Sequence, residues 1–107
     1  MGYREGPNST VTHRKQEYRV DDLIALAKSK PLEQLPVSEL EWVLPHTKVN
    51  SLRSNESDLR IPIIVVKEPH KLVVLDGAHR LHKAIRTGVT ELPAYVLQLS
   101  ELPQPVR

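Results

Sequence analysis

The clearest pattern of apolar and polar positions lies in the second half of the chain. Ile61-Pro62-Ile63-Ile64-Val65-Val66 is β-branched and apolar at successive positions, which predicts a strand covered on both faces. Pro62 stands near its start, where a strand tolerates proline. Lys67-Glu68-Pro69-His70-Lys71 is a polar turn, and Leu72-Val73-Val74-Leu75 predicts a second short strand paired back as a hairpin. The run breaks at Asp76-Gly77. Leu81, Ala84 and Ile85 then follow at i, i+3, i+4, the spacing of one helix face, and Gly88 is placed to cap that helix. Thr90 to Pro93 leads into a last strand, Ala94 to Leu99.

The first half is less regular. Val20, Leu23, Ile24 and Ala27 form a stripe at i, i+3, i+4, i+7, so Val20 to Ser29 predicts a helix, with Asp21 and Asp22 at its start and Pro31 ending it. Leu35, Val37, Leu40, Val43 and Leu44 mark a mixed segment. Pro36 favours an edge strand or extended stretch over Leu35 to Leu40, while Glu39 to Leu44 also fits a short helix, and the pattern leaves both open. His46 to Arg60 is polar. Ser51 to Leu59 reads as a weak helical turn or as a loop of the kind that covers a site.

A chain of 107 residues fits one small domain. The boundaries read as a flexible polar arm over 1–17, a folded domain over 18–99 and an irregular tail over 100–107. Without phenylalanine and with a single tryptophan, the core must be aliphatic. A net charge of +2 does not by itself argue for nucleic acid. No cysteine is present, which excludes thiol nucleophiles, disulfides and cysteine metal sites. No apolar run reaches the ~20 residues of a membrane span and no apolar signal core opens the chain, so the expected location is the cytoplasm, away from membranes.

The candidate chemistry converges on the break between strand and helix. Gly77 lets the backbone approach an anion closely, and Ala78 is small enough to do the same. The helix start brings N–H groups and the positive end of a dipole, which suits a phosphate. Arg80 can fork two phosphate oxygens. His79 can donate to one or act as an acid near neutral pH. Asp76 can hold a Mg²⁺ that bridges phosphates, accept a proton from an attacking hydroxyl, or merely cap the helix. His79, Lys83 and Arg86 line one helix ridge that could meet a terminal phosphate or a polyanion. His79 and His82, at i, i+3, do not make a metal site without further ligands. Trp42 could pack at the core edge or stack on a base.

The run Pro62 to Val66, a turn, Leu72-Val73-Val74-Leu75-Asp76-Gly77-Ala78-His79-Arg80, then Ala84, Gly88 and Pro93-Ala94-Tyr95-Val96 resembles the ParB/sulfiredoxin-like superfamily over roughly Leu35 to Leu97. The resemblance implies an α/β fold, a small mixed sheet with flanking helices, whose glycine turn binds nucleotide phosphates. Sulfiredoxin chemistry needs a cysteine just before the histidine, where this chain has Ala78. The chromosome-partitioning branch binds CTP and adds helix-turn-helix and dimerisation domains, for which these 107 residues have no room. Small-molecule kinases of the superfamily carry the same Asp-Gly-x-His-Arg box and an upstream Pro-His-Glu step. Here that step reads Pro45-His46-Thr47, and Glu41 and Glu39 are the nearest upstream carboxylates.

The resemblance therefore implies a nucleotide-binding protein, leaning to an enzyme: a kinase-like phosphotransferase or nucleotidase. It would use ATP, ADP or another nucleotide with Mg²⁺, and a small hydroxyl compound as acceptor. Gly77, Ala78, His79, Arg80 and Lys83 would bind phosphates, Asp76 would take the metal, and Asp76, His79 and Glu41 are the catalytic candidates. The competing expectation is a DNA-binding or regulatory module of plasmid, phage or partitioning type. It would use the arm (Arg4, Arg14, Lys15) and the ridge (Lys83, Arg86), with no chemistry.

Overall fold

The computed structural model describes residues 10–46 and 51–106. The β-branched run forms β4 (Ile63–Lys67), which lies between two neighbours in a four-stranded sheet. The other strands are β3 (Glu33–Pro36), β5 (Leu72–Asp76) and β6 (Glu91–Gln98), in the order β3-β6-β4-β5. β4 pairs antiparallel with β5 and parallel with β6, and β3 pairs antiparallel with β6, so the sheet is mixed.

Alternation along β4 splits the core in two. Ile63 and Val65 face one side, with Leu81 and Ala84 of helix α3 (Ala78–Thr87) and with Leu40 and Val43. Ile64 and Val66 face the other, with Leu23 and Ala27 of helix α1 (Val20–Ala27). Each fully buried leucine or isoleucine contributes about 1.5–3 kcal/mol of transfer free energy. Both faces of β4 are thus covered, as the apolar run predicts. The fold is a small α/β sandwich of a mixed sheet with helices on both sides.

Several expectations are corrected in detail. Thr10 to Gln16, expected in a flexible arm, belongs to a hairpin of β1 (Thr10–His13) and β2 (Gln16–Arg19). His13 and Tyr18 are its buried residues and anchor it. Residues 1–9, the rest of the expected arm, with Arg4, lie outside the described residues. The alternatives after Leu35 resolve into both: β3 ends at Pro36, and two 3₁₀ turns follow at Val37–Glu39 and Glu41–His46. The last strand starts at Glu91 rather than Ala94. Pro93 is tolerated because the β4 pairing begins only at Ala94, so β6 has just β3 beside it there. Ile85, expected on the buried stripe, is 38% exposed; Leu81 and Ala84 carry the packing of α3. The tail is irregular after a 3₁₀ turn (Leu99–Glu101), yet it is tied down: Lys30 pairs with Glu101, and the Val106 N–H donates to Glu17 O at 2.7 Å.

Candidate functional site

The turn between β5 and α3 is shaped by a bulge and a glycine. Val65 pairs with Val74 but Ile64 pairs with Asp76, so Leu75 is an extra residue on β5. Bulges of this kind re-aim the side chains beside them. Gly77 follows at φ +122°, a conformation that side chains oppose. A Cβ there would sit 2.4 Å from Ile63 Cγ2, so the glycine is required by close packing of the turn on β4 as well as by its dihedral.

Gly77 is the N-cap of α3, and no side chain caps the helix. The first turn holds no acidic residue. Asp76 therefore does not act as the cap. Its carboxylate instead accepts from Arg80 Nη2 at 3.3 Å, an i, i+4 ion pair. The second guanidinium nitrogen, Nη1, donates to Ile61 O and Pro62 O, each at 3.1 Å. Arg80 is 14% exposed in its side chain, so these bonds are made in partly dehydrated surroundings. The fork seen in the sequence is thus a latch that ties the start of α3 to the lead-in of β4, with its charge beside Asp76. The helix C-terminus ends as the sequence predicts, with Gly88 at φ +78° and the Val89 N–H on Ala84 O at 2.8 Å.

No protein-family model matches the chain, and no curated protein matches it in sequence. Solved structures do match. Sulfiredoxin from Arabidopsis thaliana is 14% identical, covers 64% of this chain and 85% of its own, and superposes with a TM-score of 0.44. The C-terminally truncated chromosome-partitioning protein ParB from Caulobacter crescentus, complexed with CTP-gamma-S, is 19% identical over 66% of this chain and 46% of its own, with a TM-score of 0.48. C-terminally truncated SbnI from Staphylococcus aureus is 25% identical over 64% of this chain and 31% of its own, with a TM-score of 0.45. The fold is similar to that of the ParB/sulfiredoxin-like proteins. This chain spans less than half of the ParB and SbnI chains it is similar to.

Within this fold, the predicted site residues fall into three groups. Asp76, Gly77, Ala78, His79 and Arg80 come together at the β5–α3 turn, all half-buried. Glu41 lies exposed on the second 3₁₀ turn, and Thr47 lies outside the described residues. Lys83 and Arg86 are turned to a different task. Lys83 Nζ donates to Ser57 O at 2.6 Å, and Arg86 donates to Asn55 Oδ1. His82 Nδ1 lies 2.7 Å from the hydroxyl of fully buried Ser54. These contacts dock helix α2 (Ser51–Glu56) and its exit on the polar face of α3. The weak helical turn expected over Ser51 to Leu59 is this helix. Its anchors are polar, so no apolar stripe announced it.

Nearby, Asp58 is held down to a pKa of about 2, first by the side-chain hydrogen bond from Arg60 and then by the Arg60 backbone N–H. Among the described residues no three His, Asp or Glu side chains cluster as a ready-made metal cage, and no helix is long and apolar enough to cross a membrane.

Sequence reasoning saw a second set only in part: Trp42 and Arg14 are named as candidates there, the cleft and Glu68 are not. A cleft of about 590 Å³ opens at the other end of the sheet, lined by Leu35, Trp42, Lys67, Lys71, Leu72 and Val96 among others. Beside it, buried Glu68 receives Arg14 Nε at 3.1 Å. His13 Nε2 lies 2.8 Å from the same carboxylate oxygen, close enough to pair charges but off the line of a hydrogen bond. The only signal for this cluster was a run of cations at the two turns.

Proposed function

We propose that the β5–α3 turn binds the phosphates of a nucleotide. The observation that carries this reading is the start of α3: a ten-residue helix with no side-chain cap, opening on Gly77 with a cation and a carboxylate beside it. The positive end of the helix dipole favours an anion there, and water is the competing ligand. The coarser point, a nucleotide of some kind, also accords with the CTP-gamma-S bound in the ParB structure.

The chemistry proposed for the bound nucleotide is phosphoryl transfer to a small hydroxyl compound, or hydrolysis. Ala78 and the backbone N–H groups would cradle the phosphates, and Arg80 and His79 would stabilise charge on the transferring oxygens. A single carboxylate, Asp76, fits a Mg²⁺ that keeps most of its water and takes its other ligands from phosphate, the usual habit of that ion. Asp76 would hold that ion or take the acceptor's proton, with Glu41 as the more distant carboxylate. The DNA-module alternative loses its continuous ridge, because Lys83 and Arg86 are bonded to α2 while Arg14 sits on the β1–β2 turn.

Calorimetric titration with ATP, ADP and CTP in the presence of Mg²⁺ tests the reading. Saturable binding that disappears when the helix start is made acidic supports it, and absence of binding to all three overturns it. Phosphate transfer is then assayed on hydroxyl compounds.

A further inference from the structure

The cleft beside Trp42 is separate from the phosphate turn. Leu72 lines it and Asp76 ends the same strand, four residues or ~13 Å away. Its floor is apolar: Leu35, Leu72 and Val96 from three strands. One wall is Trp42, the only tryptophan of the chain, 36% exposed. Its indole N–H donates to Leu72 O at 3.0 Å, which fixes the ring against the sheet edge. Lys71 Nζ lies over the Trp42 ring, 4.8 Å from its centroid, so a base on that face takes the place of the ammonium; Lys67 and His70 also line the cleft. Glu33 and Glu39 supply acceptors in the same lining.

The cationic rim continues onto the neighbouring hairpin. Glu68 lines the cleft and holds the guanidinium of Arg14, and exposed Lys15 follows in the same two-residue turn. Arg14 and Lys15 sit at φ +53° and +67°, the left-handed positions where Asn and Gly are usual. The chain thus keeps two cations at positions whose backbone disfavours them.

We propose that this cleft holds an unpaired base of a single-stranded nucleic acid, stacked against Trp42, with the adjoining phosphates on Lys67, Lys71, Arg14 and Lys15. An apolar floor with an indole wall suits the plane of a base, and stacking of this kind tolerates any sequence. Glu33 and Glu39 would accept from base N–H groups. A duplex keeps its bases paired and cannot insert one. The site is independent of nucleotide binding at the β5–α3 turn.

Trp42 reports directly. Its fluorescence is titrated with a ten-nucleotide thymidine strand, and with a duplex of equal length, at ~50 and ~200 mM salt. The expected result is saturable quenching by the single strand only. Three to four phosphate contacts on a single strand imply an affinity loss of about 20- to 50-fold across that salt range. The double variant Lys67→Ser/Lys71→Ser, two exposed positions, should weaken strand binding at least tenfold and flatten the salt dependence. It should keep its circular dichroism spectrum and its ATP affinity. Absence of quenching by the strand, equal quenching by duplex, or salt-independent binding overturns the proposal, as does unchanged strand affinity in the double variant.

Discussion

Substituting Ala78→Glu separates the phosphate reading from the stability of the fold, because the two should move in opposite directions. Ala78 opens α3 directly after the Gly77 cap, and that helix start has neither a side-chain cap nor an acidic residue. A carboxylate in the first turn offsets the positive end of the dipole and is worth about 0.3–1 kcal/mol. For a domain of this size, ~0.5 kcal/mol raises Tm by about 2–4 °C. The same carboxylate would stand where a phosphate is proposed to bind. Two unit charges ~4 Å apart interact by roughly 4 kcal/mol at an effective dielectric of 20, and less where the position is half exposed. Taking about half of that, nucleotide affinity should fall about 30-fold. Thermal melting and calorimetric titration of the one purified variant give both numbers. A more stable protein that binds ATP, ADP and CTP as before would refute the assignment of the phosphates to this turn.

Three other outcomes follow from the same geometry. Gly77→Ala forces a Cβ against Ile63 and strains the backbone, and should cost about 3 kcal/mol or more in denaturant unfolding. Glu68 is held below the ordinary glutamate range, chiefly by the hydrogen bond from Arg14 and helped by the charges of His13 and Lys71, against its burial. A lowered carboxylate pKa adds stability that is complete above the ordinary value and is lost as pH falls through the lowered one. Protection factors of the β1–β2 amides, that is, exchange corrected for its intrinsic pH dependence, should therefore fall in acid, below pH ~4.3, and Glu68→Gln should remove that fall. Lys15→Gly relieves a left-handed side chain that costs about 1–2 kcal/mol, less the entropy lost by glycine, and should stabilise the protein by about 0.5–1 kcal/mol in urea unfolding.

The strand, turn and helix from Leu72 to Gly88 were legible because each signal was local: a β-branched run, a glycine break, a helical stripe and a capping glycine. The β1–β2 hairpin was not, because its turn is Arg14-Lys15 where the usual mark of such a turn is Asn-Gly. Helix α2 was faint for a different reason: Ser54, Asn55 and Ser57 hold it through His82, Arg86 and Lys83, and polar pairs leave no periodicity. The five residues of the turn were found together, but the role of Arg80 was hidden. Its carbonyl partners stand 18 and 19 residues upstream, a separation that no local pattern encodes. The sequence leaves Trp42 between packing and stacking, because the cleft beside it is assembled from β3, β4, β5 and β6.

The latch made by Arg80 sets a trade between two kinds of order. An N–H bonded to Ile61 O or Pro62 O is not available to a phosphate, so an anion that recruits the Nη1 end of the guanidinium must leave those carbonyls to water. Ligand affinity and the tightness of the segment before β4 are then linked quantities, and the linkage runs equally in both directions. A substitution that loosens Ile61 and Pro62 sharpens the grip on an anion, and an anion that binds through Arg80 speeds solvent exchange at the lead-in to β4. Remote changes in that segment thereby act as a tuning control on the site without touching it.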